Sequence, residues 1–274
     1  DSTNTAVDNC AINASIDKDT VINCGTVFAL SSLKTDKISV SIATGARFTA
    51  IPNVEGVSFD GTDVFIYDST DELLYAAKLD EVDTSVAGCK LVNADGELVC
   101  LWNGTVINQE LLTYAQNAAC DVVLLGNMTG TSSSARYSMT VTIGNLTIDL
   151  NGHTLNMGAY CYFGTASSSK VLTIKNGTVK HSYTVFYSYT GSNTSGFTAI
   201  GVKFFMSGYF ASFDHRIGVL TLTDCEIKNT STNTSSSKYI FTLGNTTRKD
   251  PVVVNISGCT ITSSAAKSCA FETF

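Results

Sequence analysis

The chain has 274 residues, of which 44% are hydrophobic, 15% are charged and only two are proline. This length is enough to bury a sizeable core in one large domain or in two ordinary ones. A net charge of −7 argues against polyanionic partners, so we expect no binding to nucleic acid. No run of 18 or more apolar residues occurs, and we therefore predict no helix that spans a membrane.

The first hundred residues contain short alternating runs that are typical of β-strands, at residues 37–51 and 57–69. The segment KLVNADGELVCL, residues 90–101, predicts a hairpin that turns at Asp95 and Gly96. The two arms of such a hairpin would bring Cys89 and Cys100 together, so we predict a disulfide between them.

The carboxylates are distributed unevenly along the chain. Of the 24 Asp and Glu residues, 18 lie in residues 1–121, and this shift in composition indicates a boundary near residues 100–107. We therefore divide the chain into a β-rich N-terminal region, residues 1–104, and a second domain, residues 105–274. The N-terminal region is either a set of further coils of the kind described below or a separate β-module.

One helix is predicted, at NQELLTYAQNAA, residues 108–119. Asn108 is a good N-terminal cap, and Leu111, Leu112, Tyr114 and Ala115 group on one side of the helix.

After this helix, an apolar pair with a spacing of five residues recurs around short turn-prone segments. The pairs are Leu150/Leu155, Ile174/Val179, Ile200/Phe205, Leu222/Ile227 and Ile256/Ile261. Their first members are separated by 24, 26, 22 and 34 residues, which suits a solenoid in which each coil contributes three short strands. Equivalent side chains then lie one above another, so Cys225 and Cys259 would stack as thiols or form a disulfide.

The sequence DLNGHTL, residues 149–155, followed one coil later by LTIKNGTV, residues 172–179, resembles the right-handed parallel β-helix of pectin-lyase-like domains. The resemblance extends over about residues 105–274 and is closest to the non-catalytic versions on secreted and cell-surface adhesive proteins. It implies an all-β fold, a right-handed parallel β-helix solenoid in which the predicted helix is a short N-terminal cap. It supports the fold more strongly than a function.

Two features favour an extracellular protein. The nine cysteines have wide, irregular spacings and no C-x-x-C pair, which argues against a zinc site and favours disulfides in an oxidising compartment. The alternative is that they are buried thiols that pack as small apolar residues. Ten of the 19 asparagines stand in N-x-S/T sequons and are candidate N-glycosylation sites. These are Asn13, Asn103, Asn127, Asn145, Asn176, Asn193, Asn229, Asn233, Asn245 and Asn255.

Candidates for catalysis are few. Enzymes with the fold that the resemblance implies use clustered carboxylates or a basic residue, and the best candidates here are Asp214, Arg216, Asp224 and Glu226. By strand alternation Asp214 can converge with Arg216, and Asp224 can converge with Glu226. A surface ion pair and a solvated turn edge explain the same residues. We predict no metal site and no cofactor.

An aromatic cluster, YTVFYSYTG at residues 183–191, offers Tyr183, Tyr187 and Tyr189 for stacking on sugar rings or for self-association. The alternative is that alternate aromatic residues fill the core. Together these features predict a secreted or cell-surface structural or adhesive glycoprotein. It would be non-catalytic and would associate with itself, as a homo-oligomer or fibre subunit, or with surface glycans. The alternatives are a polysaccharide lyase or hydrolase, or a carbohydrate-binding module, on the same scaffold.

Overall fold

The computed structural model divides into two compact units, an N-terminal unit of residues 1–104 and a solenoid unit of residues 105–274. The residues that the structure describes are 12–23, 38–51, 59–60, 63–86, 88–131, 137–158, 161–165, 170–181, 185–187, 195–208, 210–213, 217–230, 238–243, 253–264 and 268–273.

The N-terminal unit contains nine described strands and two single-turn 3-10 helices, Leu79–Glu81 and Thr84–Val86. The strands are β1 (Ile12–Ile16), β2 (Val21–Ile22), β3 (Ile38–Ile42), β4 (Arg47–Phe48), β5 (Phe59–Asp60), β6 (Val64–Asp68), β7 (Leu73–Ala77), β8 (Cys89–Val92) and β9 (Leu98–Trp102).

The N-terminal unit combines parallel, coil-like strand pairing with antiparallel hairpins. β1, β3 and β5 pair in parallel, as do β2 and β4, and β3 follows β1 at an offset of 26 residues. In contrast, β6 pairs with β7 and β8 pairs with β9 in antiparallel fashion. The stacked rings of Tyr67 and Trp102, with centroids 3.6 Å apart, join the two hairpins.

The predicted hairpin at residues 90–101 is confirmed, with Gly96 at its turn in a left-handed conformation, φ 82°. The predicted Cys89–Cys100 disulfide is not formed in the structure, where both residues are fully buried thiols. The register explains why: Cys89 lies opposite Trp102, and Cys100 lies opposite Leu91.

The solenoid unit begins with β10 (Val106–Ile107) and the helix α1 (Gln109–Asn117). The predicted helix and its cap are confirmed, because the Asn108 side chain accepts a hydrogen bond from the Leu111 N–H at 2.9 Å. Leu111, Leu112 and Ala115 are fully buried.

Six coils follow α1, and each contributes one strand to each of three parallel sheets. Sheet A consists of β11 (Asp121–Leu124), β14 (Leu146–Asp149), the first part of β17 (Val171–His181), the first part of β19 (Ser195–Met206), β21 (Ile217–Thr223) and β24 (Val253–Ser257). Sheet B consists of β12 (Met128–Gly130), β15 (Thr154–Met157), the second parts of β17 and β19, β22 (Glu226–Asn229) and β25 (Thr260–Ser263). Sheet C consists of β13 (Tyr137–Val141), β16 (Cys161–Thr165), β18 (Phe186–Tyr187), β20 (Ala211–Phe213), β23 (Lys238–Leu243) and β26 (Ser268–Thr273).

These strand pairings confirm the predicted parallel β-solenoid, which has about six turns. Along sheet A, Ile148, Ile174, Ala199, Leu222 and Ile256 are partners in consecutive coils. Along sheet B the matching column is Leu155, Val179, Phe204, Ile227 and Ile261. The first four members of each column are fully buried, and they form the core.

Two predicted pairs are out of register. Leu150 is buried as predicted, but the partner of Ile174 in the preceding coil is Ile148 and not Leu150. The pair of the coil that contains β19 is displaced by one residue. Ile200 and Phe205 were expected to point inward, but the buried residues of this coil are Ala199 and Phe204. Ile200 is 41% exposed and Phe205 is half-buried. The error arises because Ala199 is a weak apolar signal beside Ile200, whereas the register is set by the neighbouring coils.

The bend between sheets A and B repeats a backbone conformation. Its first residue has a positive φ in four successive coils, namely 59° at Asn176, 62° at Gly201, 53° at Asp224 and 64° at Gly258. The left-handed region favours glycine, asparagine and aspartate, so the sequence of the bend follows from its geometry.

Helix α1 packs against the first coil, and two of its glutamine side chains form the hydrogen bonds to β13 and the following turn that a neighbouring strand would form. The side-chain amide of Gln109 donates to the Thr140 carbonyl at 3.1 Å and accepts from the Thr140 N–H at 2.6 Å. The Gln116 Oε1 accepts from the N–H groups of Thr142 and Ile143, at 2.7 and 3.0 Å. These bonds satisfy backbone groups of β13 and of the turn that follows it, at the edge of β13 for which the structure describes no strand partner.

We expect Gln116→Leu to lower the free energy of unfolding by about 1–3 kcal/mol, because two backbone donors lose their acceptor. Chemical denaturation is the appropriate measurement. The neighbouring exposed residue provides the control, and Asn117→Ala should change stability by less than about 0.5 kcal/mol. Equal effects of the two substitutions would show that Gln116 does not cap the coil.

Candidate interaction surface

The outer side of sheet B carries a group of lysines around one aromatic ring. Because side chains alternate along each strand, Val179 and Phe204 point inward, and their neighbours point outward. Lys180, Lys203 and Lys228 are exposed, and Phe205 is half-buried. We call these four residues the lysine face.

Strand register brings the members of the lysine face together. Lys180, Phe205 and Lys228 occupy the same position in three successive coils. Since neighbouring strands lie about 4.8 Å apart, the two lysines stand about 10 Å apart with the ring between them. Lys203 lies two residues before Phe205, and its partner in the next coil is Glu226.

The lysine face is a positive surface in an acidic protein. Residues 105–274 contain 11 Lys and Arg against 8 Asp and Glu, a net charge of +3. Elsewhere in the described solenoid Lys175 pairs with Asp149 at 3.4 Å. Within the part of the chain that the structure describes, Lys180, Lys203 and Lys228 have no carboxylate within ion-pair distance.

The N-terminal unit has the opposite charge, with 6 Lys and Arg against 16 Asp and Glu, a net charge of −10. Part of this charge surrounds a shallow, open depression lined by Asp63, Lys78, Leu79, Asp80 and Glu81. Lys78 pairs with Asp63 at 3.6 Å, and the Asp63 carboxylate also accepts from the Leu79 N–H at 3.3 Å. The Leu79 side chain is 45% exposed. We call these five residues the acidic depression.

The structure describes two of the four candidate catalytic residues, Asp224 and Glu226, and these two have different surroundings. Asp214 and Arg216 lie outside the described residues. Asp224 occupies the positive-φ bend between β21 and β22, so strand alternation does not place it on one face with Glu226. Its carboxylate lies over Gly258 in the next coil, whereas Glu226 lies beside Lys203.

Of the aromatic residues in the cluster at residues 183–191, the structure describes the side-chain burial of Phe186, which is fully buried. Tyr187 belongs to β18, but its side chain is not among the described features. Tyr183 and Tyr189 lie outside the described residues.

Six of the sequon asparagines are exposed: Asn13, Asn103, Asn127, Asn145, Asn176 and Asn255. Asn193, Asn233 and Asn245 lie outside the described residues. Asn229 differs, because its side chain is fully buried and its Nδ2 donates to the Gly208 carbonyl at 2.9 Å. A glycan on that nitrogen is incompatible with the packed coil, so the structure argues against Asn229 as an attachment site.

Six cysteines whose side chains the structure describes form no disulfide, and five of them are buried. Burial raises the pKa of the Cys120 thiol to about 11 and that of the Cys161 thiol to about 12, so both stay protonated. Cys225 and Cys259 are stacked as thiols in neighbouring coils, with the Cys225 N–H donating to the Cys259 sulfur at 3.4 Å. Of these six cysteines, Cys259 alone is not buried.

His181 is a titratable group inside the coil. Its ring is buried, and Nε2 donates a hydrogen bond to the Cys161 carbonyl. Burial lowers the pKa of His181, since the charged imidazolium is disfavoured, and the bond to the carbonyl offsets this only in part. The histidine is therefore neutral in the folded protein and has a structural role.

We expect this histidine to make stability depend on pH. Its folded pKa is below the usual value of about 6.5, so the unfolded chain takes up a proton first as pH falls. The stabilisation is complete above about pH 6.5 and decreases as pH falls below it, by about 1.4 kcal/mol per unit of pKa difference. Melting temperatures between pH 8 and 5 should fall more steeply for the wild type than for His181→Gln. An unchanged slope in His181→Gln would contradict the assignment.

No family model, curated protein or solved structure was found to match the chain. No helix among the described residues is long and apolar enough to cross a membrane. Across the same residues, no group of three or more His, Cys, Asp or Glu side chains is arranged to hold a metal ion. The evidence for the solenoid is therefore its strand pairing, and the evidence for a function is the chemistry of its surfaces.

Sequence reasoning missed the lysine face. Its signal is present, since VK at residues 179–180, KFF at residues 203–205 and EIK at residues 226–228 each place a charged residue next to an inward apolar one. Phe205 was expected in the core. Its position on the outer side of sheet B, between Lys180 and Lys228, was therefore not predicted.

Proposed function

We propose that the protein is a secreted or cell-surface structural glycoprotein whose solenoid is a non-catalytic scaffold that binds through its outer faces. The observation that carries this proposal is the use of three described solenoid carboxylates: Asp121 and Asp149 bind groups of the fold itself, and Asp224 lies in a bend. Asp121 accepts from the Thr147 N–H at 3.2 Å, and Asp149 binds Lys175 and the Asn176 side chain.

Hydrolysis of a glycosidic bond requires two carboxyl groups that face each other across the substrate. Asp149 and Asp224 belong to different coils, and between them lie the coils of β17 and β19. Asp224 and Glu226 share a coil but have different surroundings. The outer side of sheet A, in contrast, presents the uncharged column Thr147, Thr173, Thr198, Thr221 and Asn255, a regular surface suited to contact and not to acid–base chemistry.

The catalytic alternative provides the test. The purified protein should release no reducing ends and no unsaturated products from a panel of acidic and neutral polysaccharides. Release of either product by the wild type, lost in Asp224→Ala or Glu226→Ala, would overturn the proposal in favour of a hydrolase or lyase.

The extracellular part of the proposal depends on the exposed sequons. We expect the native protein to exceed the 29.1 kDa mass of the bare chain and to lose the excess after enzymatic removal of N-glycans. Peptide mapping should find glycan at exposed sites such as Asn127 or Asn145 and none at Asn229. A native mass equal to that of the bare chain would contradict the assignment as a glycoprotein.

A further inference from the structure

We propose that the lysine face of one copy binds the acidic depression of a second copy, so that the chains associate head to tail. The inference rests on the proposed structural function, to which it adds the partner and the surface. It concerns two copies of the chain and is independent of how the two units of one copy are arranged.

The lysine face has the composition of a docking surface. Its three ammonium groups are exposed on a flat sheet and lack carboxylate partners among the described residues, while Glu226 beside Lys203 is the one acidic neighbour in register. Phe205 adds a half-buried ring at the centre, between Lys180 and Lys228. An aromatic anchor ringed by charges is the arrangement found where a partner excludes water from an apolar centre.

The acidic depression matches this surface in both charge and polarity. It offers three carboxylates, those of Asp63, Asp80 and Glu81, around the exposed Leu79 side chain. Lys78 neutralises part of the charge through Asp63, so Asp80 and Glu81 are the carboxylates available to a partner. A shallow concave site with an apolar residue among the carboxylates can receive Phe205 while the carboxylates meet the lysines.

Charge distribution over the whole chain favours the same pairing. The N-terminal unit carries a net charge of −10 and the solenoid unit a net charge of +3. Like units of two copies therefore repel each other, whereas the N-terminal unit of one copy and the solenoid unit of another attract each other at short range. The two surfaces are different patches of one chain, and such a contact is heterologous. A heterologous contact repeats from copy to copy and produces a ring or an open filament.

Sedimentation velocity over a range of concentrations tests the proposal. At low ionic strength the wild type should form species larger than the monomer, and about 1 M salt should dissociate them, since exposed charges are screened within about 3 Å at that concentration. The variant Lys180→Glu/Lys228→Glu should associate at least about tenfold more weakly, and so should Asp80→Lys/Glu81→Lys. A mixture of the two variants should associate again, because each supplies the complementary surface that the other needs.

Matched controls separate the docking surface from overall charge. Lys18→Glu/Lys90→Glu changes the net charge as much as the lysine-face variant but leaves that face intact, so its association should not fall below that of the wild type. Thermal unfolding of every variant should match that of the wild type, since none of the altered residues is buried. A wild type that stays monomeric at low salt, association that persists in the lysine-face variant, or a mixture that stays monomeric would each overturn the inference. None of these outcomes changes the polysaccharide and glycan tests, so the proposed function stands or falls separately.

Discussion

Replacing Phe204 by alanine is expected to lower the free energy of unfolding by about 3–5 kcal/mol, the range for removing a buried aromatic ring. Phe204 is fully buried between its partners Val179 and Ile227, and its ring packs edge-on against Phe210 with centroids 4.8 Å apart. Phe210 in turn contacts Phe241 at 5.5 Å, so the cavity would open within an aromatic cluster that has little freedom to collapse.

The adjacent phenylalanine is the matched control for this substitution. Phe205 lies on the outer side of the same strand, and Phe205→Ala should cost less than about 1 kcal/mol. Denaturant titration of the two variants compares them directly. If Phe205→Ala proved the more damaging of the two, the register of this coil would be the one that sequence reasoning predicted, and the lysine face would not exist as described.

Replacing Gly177 by alanine is expected to cost about 3 kcal/mol, although only one methyl group is added. A Cβ at this position would lie 2.5 Å from the Leu150 Cβ and 2.6 Å from the His153 carbonyl oxygen of the preceding coil. The obstacle includes backbone, so relief requires that two coils move apart at their bend and that hydrogen bonds between them weaken. The glycine of the NGT segment at residues 176–178 is thus required by close approach of two coils.

A second glycine shows whether the cost comes from this close approach. Gly144 has no heavy atom within 4 Å of the position that a Cβ would take and does not require a positive φ. Gly144→Ala should be neutral, or should stabilise the protein slightly by restricting the unfolded chain. Thermal and chemical unfolding of the two variants provides the comparison, and equal stabilities would contradict the tight stacking of the coils at Gly177.

Local signals were sufficient for several elements. Helix α1 was predicted from the Asn108 cap and its apolar side, and the β8–β9 hairpin was predicted from Asp95-Gly96, because both depend on neighbours in sequence. The solenoid was predicted from the recurring apolar pairs, which can be recognised in the sequence itself. These features need no knowledge of distant contacts.

Features that depend on distant contacts were harder to predict. The inward position of Ala199 is decided by Ile174 and Leu222 in the adjacent coils, and a small residue next to isoleucine carries no local sign of this. The bond from Asn229 to Gly208 removes that residue from the candidate glycosylation sites, although its sequon matches the others. The acidic depression and the lysine face depend on which charged side chains converge, and composition alone does not contain that information.

The parallel stack of coils is tested most directly by a distance along the column of sheet B that contains Lys180, Phe205 and Lys228. Thr129 and Thr262 occupy the same position five coils apart in sheet B, through Asn156, Lys180, Phe205 and Lys228. Spin labels at Thr129→Cys and Thr262→Cys, in a Cys259→Ser background with single-label controls, should give a pulsed-EPR distance centred near 24 Å, broadened by the label linkers. A centre displaced by more than about 10 Å, or a second distance of similar weight, would contradict the single parallel stack on which the proposed surface and function depend.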